Sequence, residues 1–138
     1  MNTAAQRVLV DSNVILDIAT ADQQWSGWST DQLSRCLDQG TAMVNAIIYG
    51  EIAFACERIE EVDALLPADL FLYRPIPREG AFLAARAHAA YRSRGGVRTS
   101  LLPDFLIGAH ALLEGCPLLT RDPRRYRQAY PALELITP

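Results

Sequence analysis

Two apolar runs in this chain each end on an aspartate. Val8-Leu9-Val10 passes straight into Asp11, and Leu118-Leu119-Thr120 reaches Asp122 one residue later. Runs this short, without helical period, read as strands buried on both faces. Helical patterns lie between them. Strands that alternate with helices imply crossover connections, and hence a parallel sheet with helices on both faces. Right-handed crossovers place the carboxyl ends of the strands on one edge, which is where open α/β sheets bind ligands. Asp11 and Asp122, from opposite ends of the chain, are therefore expected at the same edge.

Strands are expected over 7–10, 41–44, 71–73, 117–119 and 134–136. Helices are expected over 13–19, 29–37, 46–56, 59–66, 77–94 and 103–114, and Asp122-Pro123 opens a last short one through Tyr126. The 77–94 segment is alanine-rich, with Phe82, Ala85 and Ala89 on one stripe, and Gly95-Gly96 ends it. Pro103 is tolerated in a first helical turn, and Gly115 stops that helix. No repeat, linker or low-complexity tract interrupts the pattern. The expectation is one domain over 1–138, three layers α/β/α, around a parallel sheet of about five strands.

Half of the 138 residues are hydrophobic, enough for one compact core. No apolar run approaches the roughly 18 residues of a membrane span. Met1 to Gln6 is polar and short, unlike a signal peptide. Cys36, Cys56 and Cys116 are scattered, with no Cys-x-x-Cys, which reads as free thiols in a reducing cytoplasm. The net charge of −3 conceals a division. Residues 1–70 hold 3 Arg against 11 Asp and Glu, and residues 71–138 hold 10 Arg against 5. Lysine is absent, so every fixed positive side chain is a guanidinium, suited to bidentate phosphate contacts.

Two further acids interrupt apolar helices. Glu51 lies in Ala46-Ile47-Ile48-Tyr49-Gly50-Glu51-Ile52-Ala53-Phe54, where a carboxylate is costly to bury unless it is paired or coordinated. Gly50 beside it suggests close packing. Asp104 opens Asp104-Phe105-Leu106-Ile107-Gly108-Ala109-His110. Each acid has a plain alternative: Asp11 and Asp122 as helix caps, Glu51 as a residue facing a narrow solvated stripe, and Asp104 as a first-turn acid favoured by the helix dipole. As a set they repel, and a divalent cation reverses that by favouring the ionised forms. All-oxygen ligands with water in the remaining positions suit Mg²⁺ or Mn²⁺, ions that serve hydrolysis of phosphate esters. Thr120 could hydrogen-bond a neighbouring carboxylate or a substrate phosphate, or simply finish a strand, and Asn13 could orient a carboxylate. Asp17 reads as solvent-facing. His110 reads as a packed or hydrogen-bonded core residue, and His88 has no partner at metal-ligand spacing.

These pieces match a family. Asp11-Ser12-Asn13-Val14, Tyr49-Gly50-Glu51, Leu102-Pro103-Asp104-Phe105-Leu106-Ile107-Gly108-Ala109-His110-Ala111 and Leu119-Thr120-Arg121-Asp122-Pro123 resemble a PIN domain, and more narrowly the VapC-type toxins of toxin–antitoxin pairs. Tyr91-Arg92-x-Arg94-Gly95-Gly96, Arg125-Tyr126-Arg127 and Tyr130-Pro131 resemble one branch of it. Gly50, where Ala is more usual, and Ala129-Tyr130, in place of an aromatic pair, depart from that branch. The resemblance implies an endoribonuclease dependent on Mg²⁺ or Mn²⁺. Its acidic quartet maps onto Asp11, Glu51, Asp104 and Asp122 as metal-binding and catalytic residues, with Thr120 in support. It implies RNA, such as a tRNA or rRNA loop, as substrate and a product with a 5′-phosphate and a 3′-hydroxyl. It also implies a homodimer and a small VapB-type antitoxin partner. Arg78, Arg92, Arg94, Arg98, Arg121 and Arg124 are candidates for the phosphate track. Trp25, Trp28, Phe54 and the apolar 46–59 segment are candidates for an antitoxin groove.

Three rivals use the same residues. A solitary PIN-domain nuclease of RNA processing would carry the same acids. A phosphomonoesterase of the haloacid type would want a second Asp two residues after Asp11, where Asn13 stands. A non-catalytic RNA- or protein-binding module would use the acids only as caps and surface charges, and its stability would ignore Mn²⁺.

Overall fold

The computed structural model describes residues 6–97 and 101–138. Five strands form one sheet: β1 (Gln6–Val10), β2 (Gly40–Val44), β3 (Phe71–Tyr73), β4 (Leu118–Leu119) and β5 (Leu135–Ile136). Every pairing is parallel, in the order β3-β2-β1-β4-β5. Among the described residues seven helices connect them: α1 (Ser12–Ala19), α2 (Ser26–Gln39), α3 (Ala46–Ala53), α4 (Ile59–Leu65), α5 (Arg78–Ser93), α6 (Leu102–Glu114) and α7 (Arg124–Ala129). The chain winds from β1 through β2 to β3 on one side, then returns to place β4 and β5 on the other. The switch in winding falls between β1 and β4, the position where such sheets open a crevice at their carboxyl edge.

Burial rises along the strands toward that edge. Val8, Leu9, Val10, Ala42, Met43 and Val44 are buried, while Gln6 and Arg7 are exposed. Leu118 and Leu119 are fully buried, so a strand of only two residues is held by burial worth about 2 kcal/mol or more per leucine. Pairing of Leu9 with Leu118 and Val10 with Leu119 sets the register. One step beyond it, Asp11 and Thr120 leave the sheet side by side. The Asp11 amide donates to the Leu119 carbonyl at 2.9 Å.

Helix ends follow the expected chemistry. Asn45 caps α3, accepting the Ile48 amide at 3.0 Å. Gly115 ends α6 in the left-handed conformation, φ +66°, which costs glycine little.

Two expectations, for Gly50 and Asp17, are corrected, and two open points, the facing of the α5 stripe and Asp122 as a cap, are decided. The Phe82, Ala85 and Ala89 stripe of α5 faces solvent: Phe82 is 65% exposed, with the Arg86 guanidinium 5.8 Å from its ring centroid. The inward face is Gly80 and Ala84 with half-buried Ala87 and Tyr91, because an alanine-rich helix offers several equivalent stripes and packing against α6 selects one. Gly50 is exposed, and a side chain there would meet nothing within 4 Å, so no close packing explains it. Asp17 is not solvent-facing: at 3% exposure it lies under α2, where it accepts from Ser29 Oγ at 3.0 Å and from Arg121 Nε at 2.7 Å. A guanidinium delivered from the far side of the sequence makes that burial tolerable. Asp122 does not cap α7, whose first residues receive no side-chain cap.

Among the described residues no helix is long and apolar enough to cross a membrane.

Candidate active site

The sheet edge at the β1–β4 switch opens into a polar cavity of about 180 Å³, lined by Asp11, Ser12, Asn13, Glu51, Asp104, Asp122, Arg125 and Tyr126. All four acids singled out in the sequence reach it, each from a different place. Asp11 follows β1, Glu51 stands in the second turn of α3, Asp104 lies in the first turn of α6, and Asp122 follows β4.

Asp11 is the most firmly held. Its Oδ1 accepts the Ser12 amide at 2.8 Å, so it is the cap of α1 as well as a cavity acid. Its Oδ2 accepts from Thr120 Oγ1 at 3.0 Å and from Tyr126 Oη at 2.9 Å. The Thr120 hydroxyl is fully used, since it also accepts from Asn13 Nδ2 at 3.1 Å and from the Asp122 amide at 3.1 Å. Asn13 in turn takes the Arg121 amide on Oδ1 at 3.3 Å, which orients the loop between Thr120 and Asp122. Glu51 Oε1 accepts from Ser12 Oγ at 2.8 Å. Asp104 Oδ2 accepts from Arg125 Nη1 at 2.8 Å. The acids are thus aimed by hydroxyls, amides and one guanidinium, not by one another.

Burial dominates their electrostatics. It pushes the Asp11 carboxyl above its ordinary value, outweighing the Tyr126, Thr120 and Ser12 hydrogen bonds that favour its charge, and Asp104 adds to the rise. Burial likewise raises Glu51, against the Ser12 hydrogen bond, with Asp11 and Asp104 contributing. The Tyr126 phenol is raised well above its usual range by burial and by the charges of Asp11, Asp104 and Glu51, so it stays a donor. Acids held against their tendency to ionise gain most from a cation.

The donor chemistry fits a hard divalent ion: four carboxylates and hydroxyl neighbours line one polar cavity, with no thiol or imidazole. As placed, no three Asp, Glu, His or Cys side chains among the described residues stand close enough to hold one, and Arg125 occupies part of the same space. Glu51 and Asp104 would close around an ion against Asp11 by side-chain movement, with Asp122 at the open side.

Three contributors escaped the sequence reading: Ser12, Tyr126 and Arg125. Tyr126 had a usable signal, since it follows Asp122 by four positions at the start of a short helix. The arginines taken for a phosphate track fare differently. Arg121 turns to Asp17 and lies 5.7 Å from the Trp25 ring centroid. Arg92 and Arg94 are exposed at the end of α5 that leads toward α6, and neither lines the cavity. Arg78 pairs loosely with Glu79 in solvent, Arg124 is exposed, and Arg98 lies outside the described residues. An apolar groove exists, but Ile15, Ile18, Leu33, Leu37 and Leu65 line it, between α1, α2 and α4. Trp25, Trp28 and Phe54 are not part of it. The two tryptophans pack edge-on at 6.4 Å, and Phe54 is 95% exposed after α3. His110 is fully buried and hydrogen-bonded to Asn45, a core residue as expected.

Comparison with known proteins agrees with this arrangement. Among solved structures, VapBC2 from Rickettsia felis bound to a DNA fragment from its promoter superposes with a TM-score of 0.73 at 14% identity, covering 96% of this chain and 98% of that one. VapBC-1 from nontypeable Haemophilus influenzae gives 0.72 at 17%, covering 96% and 98%. A toxin–antitoxin complex from Klebsiella pneumoniae gives 0.62 at 18%, covering 94% and 96%. At such identities the likeness is one of fold. No curated protein matches in sequence. The family model of the PIN domain matches residues 8–130, a span that begins in β1 and ends just past α7 and so contains every acid of the cavity; the chain belongs to the PIN domain family.

Proposed function

We propose that this protein is a divalent-metal-dependent endoribonuclease, the toxin half of a toxin–antitoxin pair. The observation that carries the reading is the meeting of Asp11, Glu51, Asp104 and Asp122 in one polar cavity at the β1–β4 switch. Membership of the PIN family supports nuclease chemistry, and full-length likeness to chains from VapBC and toxin–antitoxin complexes supports an antitoxin partner.

Bound Mg²⁺ or Mn²⁺ would supply activation of water and neutralisation of charge on an RNA phosphodiester. The remaining work falls to the chain's own groups. Asp11 is held rigid by three side-chain and backbone donors, so it fixes one wall of the cavity. Burial pushes the Glu51 carboxyl above its ordinary value, so its ionised form is the stronger base and is suited to take a proton from the attacking water. Asp104 orients from the opposite wall through α6. Asp122 stands exposed at the mouth, where substrate enters. Attack by water needs no 2′-hydroxyl and leaves a 5′-phosphate and a 3′-hydroxyl.

The test is cleavage of a mixed tRNA and rRNA pool with Mg²⁺ or Mn²⁺, with and without EDTA, beside folded Asp104→Asn. Cuts that need metal and disappear in the variant are expected, with a loss on the order of 100-fold or more. Cuts that survive the substitution, or no cuts with any metal once a co-purified inhibitor has been removed, would overturn the reading.

A further inference from the structure

Arg125 is one of the residues that line the acid cavity. Among the described residues that line it, Arg125 alone is cationic, in a lining that also holds Asp11, Glu51, Asp104 and Asp122. Its Nη1 donates to Asp104 Oδ2 at 2.8 Å, and the two side chains are 31% and 22% exposed. The neighbouring residue on α7, Tyr126, donates to Asp11, so one short helix presents a hydroxyl to one wall of the cavity and a guanidinium to the other. A guanidinium keeps its charge at every physiological pH and forms strong, directional bonds to carboxylates.

This places a positive charge where a divalent ion would act. We propose that Arg125 is the resident counter-cation of the cavity and competes with the divalent ion for Asp104. The inference rests on the metal-site reading given above. Two features support competition over cooperation. The guanidinium takes up a lone pair of Asp104 Oδ2, one of the oxygens an ion would use. Among the described residues no three acids, as they stand beside it, close to a ligand shell. Loading the ion therefore means releasing that bond and bringing a second positive charge into a partly shielded space. Arg125 keeps the acids compatible without metal and lowers the affinity for it.

The test is a Mn²⁺ titration of EDTA-stripped protein, followed by calorimetry and by the paramagnetic resonance signal of free Mn²⁺. Wild type is compared with Arg125→Ala, Arg125→Lys and Arg127→Ala, the last an exposed charge on the same helix. Removing one like charge a few ångströms from the ion should tighten Mn²⁺ binding roughly tenfold in Arg125→Ala. Arg125→Lys should stay near wild type, and Arg127→Ala should be unchanged. Circular dichroism checks folding, and Arg125→Gln is read by the same criterion if the alanine variant fails to fold. Equal or weaker binding in the neutral variants overturns competition while leaving the metal site intact. No Mn²⁺ binding by any of the proteins overturns the metal-site reading, and this inference with it.

Discussion

Tyr126 shows how much the site depends on single polar atoms. Its hydroxyl donates to Asp11 in a buried setting, where a lost bond to a charged acceptor is expensive. Tyr126→Phe should cost about 1–3 kcal/mol at neutral pH, read as a lowered urea midpoint with an unchanged slope. An unaltered midpoint would mean that Asp11 finds another donor. The residue scale is also where the sequence was most and least legible. Asp11, Glu51, Asp104 and Asp122 could be picked out because carboxylates at strand ends and inside apolar helices are costly unless they have a use. Ser12 and Arg125 could not, because a hydrogen-bond partner is a matter of distance in space, and Tyr126 left only its place four residues after Asp122 as a signal. Asp17 was misread for the same reason: its partners, Ser29 and Arg121, come from α2 and from beyond β4.

At the scale of elements, α6 and α7 form the wall that carries Asp104, Arg125 and Tyr126. They meet at Gly108, where an added Cβ would lie 2.6 Å from Tyr130 Cε2 and 3.1 Å from Tyr126 Cδ1. Tyr130 cannot easily yield, since its hydroxyl donates to the Phe105 carbonyl at 2.7 Å. Gly108→Ala should therefore destabilise by about 1–3 kcal/mol through overpacking, although alanine is the better helix former. Gly50→Ala, with open space around it, should instead gain about 0.5–1 kcal/mol. Denaturant unfolding of both variants checks the contrast, and equal signs would overturn it. Elements themselves were readable: all five strands lie at or within two residues of the expected positions, because short apolar runs bounded by turn residues leave few options. The inward face of α5 was not, because alanines on several stripes make the period degenerate and only contact with α6 breaks the tie.

For the whole molecule, the pH dependence of stability has an identifiable contributor far from the acids. Asn45 Oδ1 is committed to the Ile48 amide, so its Nδ2 must donate to His110 Nδ1 at 2.9 Å, and that nitrogen must carry no proton. Nε2–H then faces Glu114 Oε1 at 3.4 Å, and Glu114 is shared with Arg7 and Arg74. Burial lowers the His110 pKa below 6.5, more than Glu114 restores it. A histidine lowered by folding stabilises fully above its unfolded value and loses that contribution as pH falls through the window below 6.5. Asp11 and Glu51, raised by folding, act in the opposite sense at lower pH, so the difference between proteins is the proper measure. His110→Gln should cost about 1–3 kcal/mol at pH 7.5 and less at pH 5. A constant difference would mean that His110 does not titrate between the folded and unfolded states. The order of apolar runs and helical periods in the sequence determined the parallel sheet and singled out the four acids, because these follow from local pattern and from the handedness of crossovers; the strand order, with its switch between β1 and β4, came from packing. Tertiary structure alone decided which hydroxyl or guanidinium each acid meets, which stripe of α5 packs inward, and that Arg125 shares the cavity, because such contacts depend on distances between segments that share no local period.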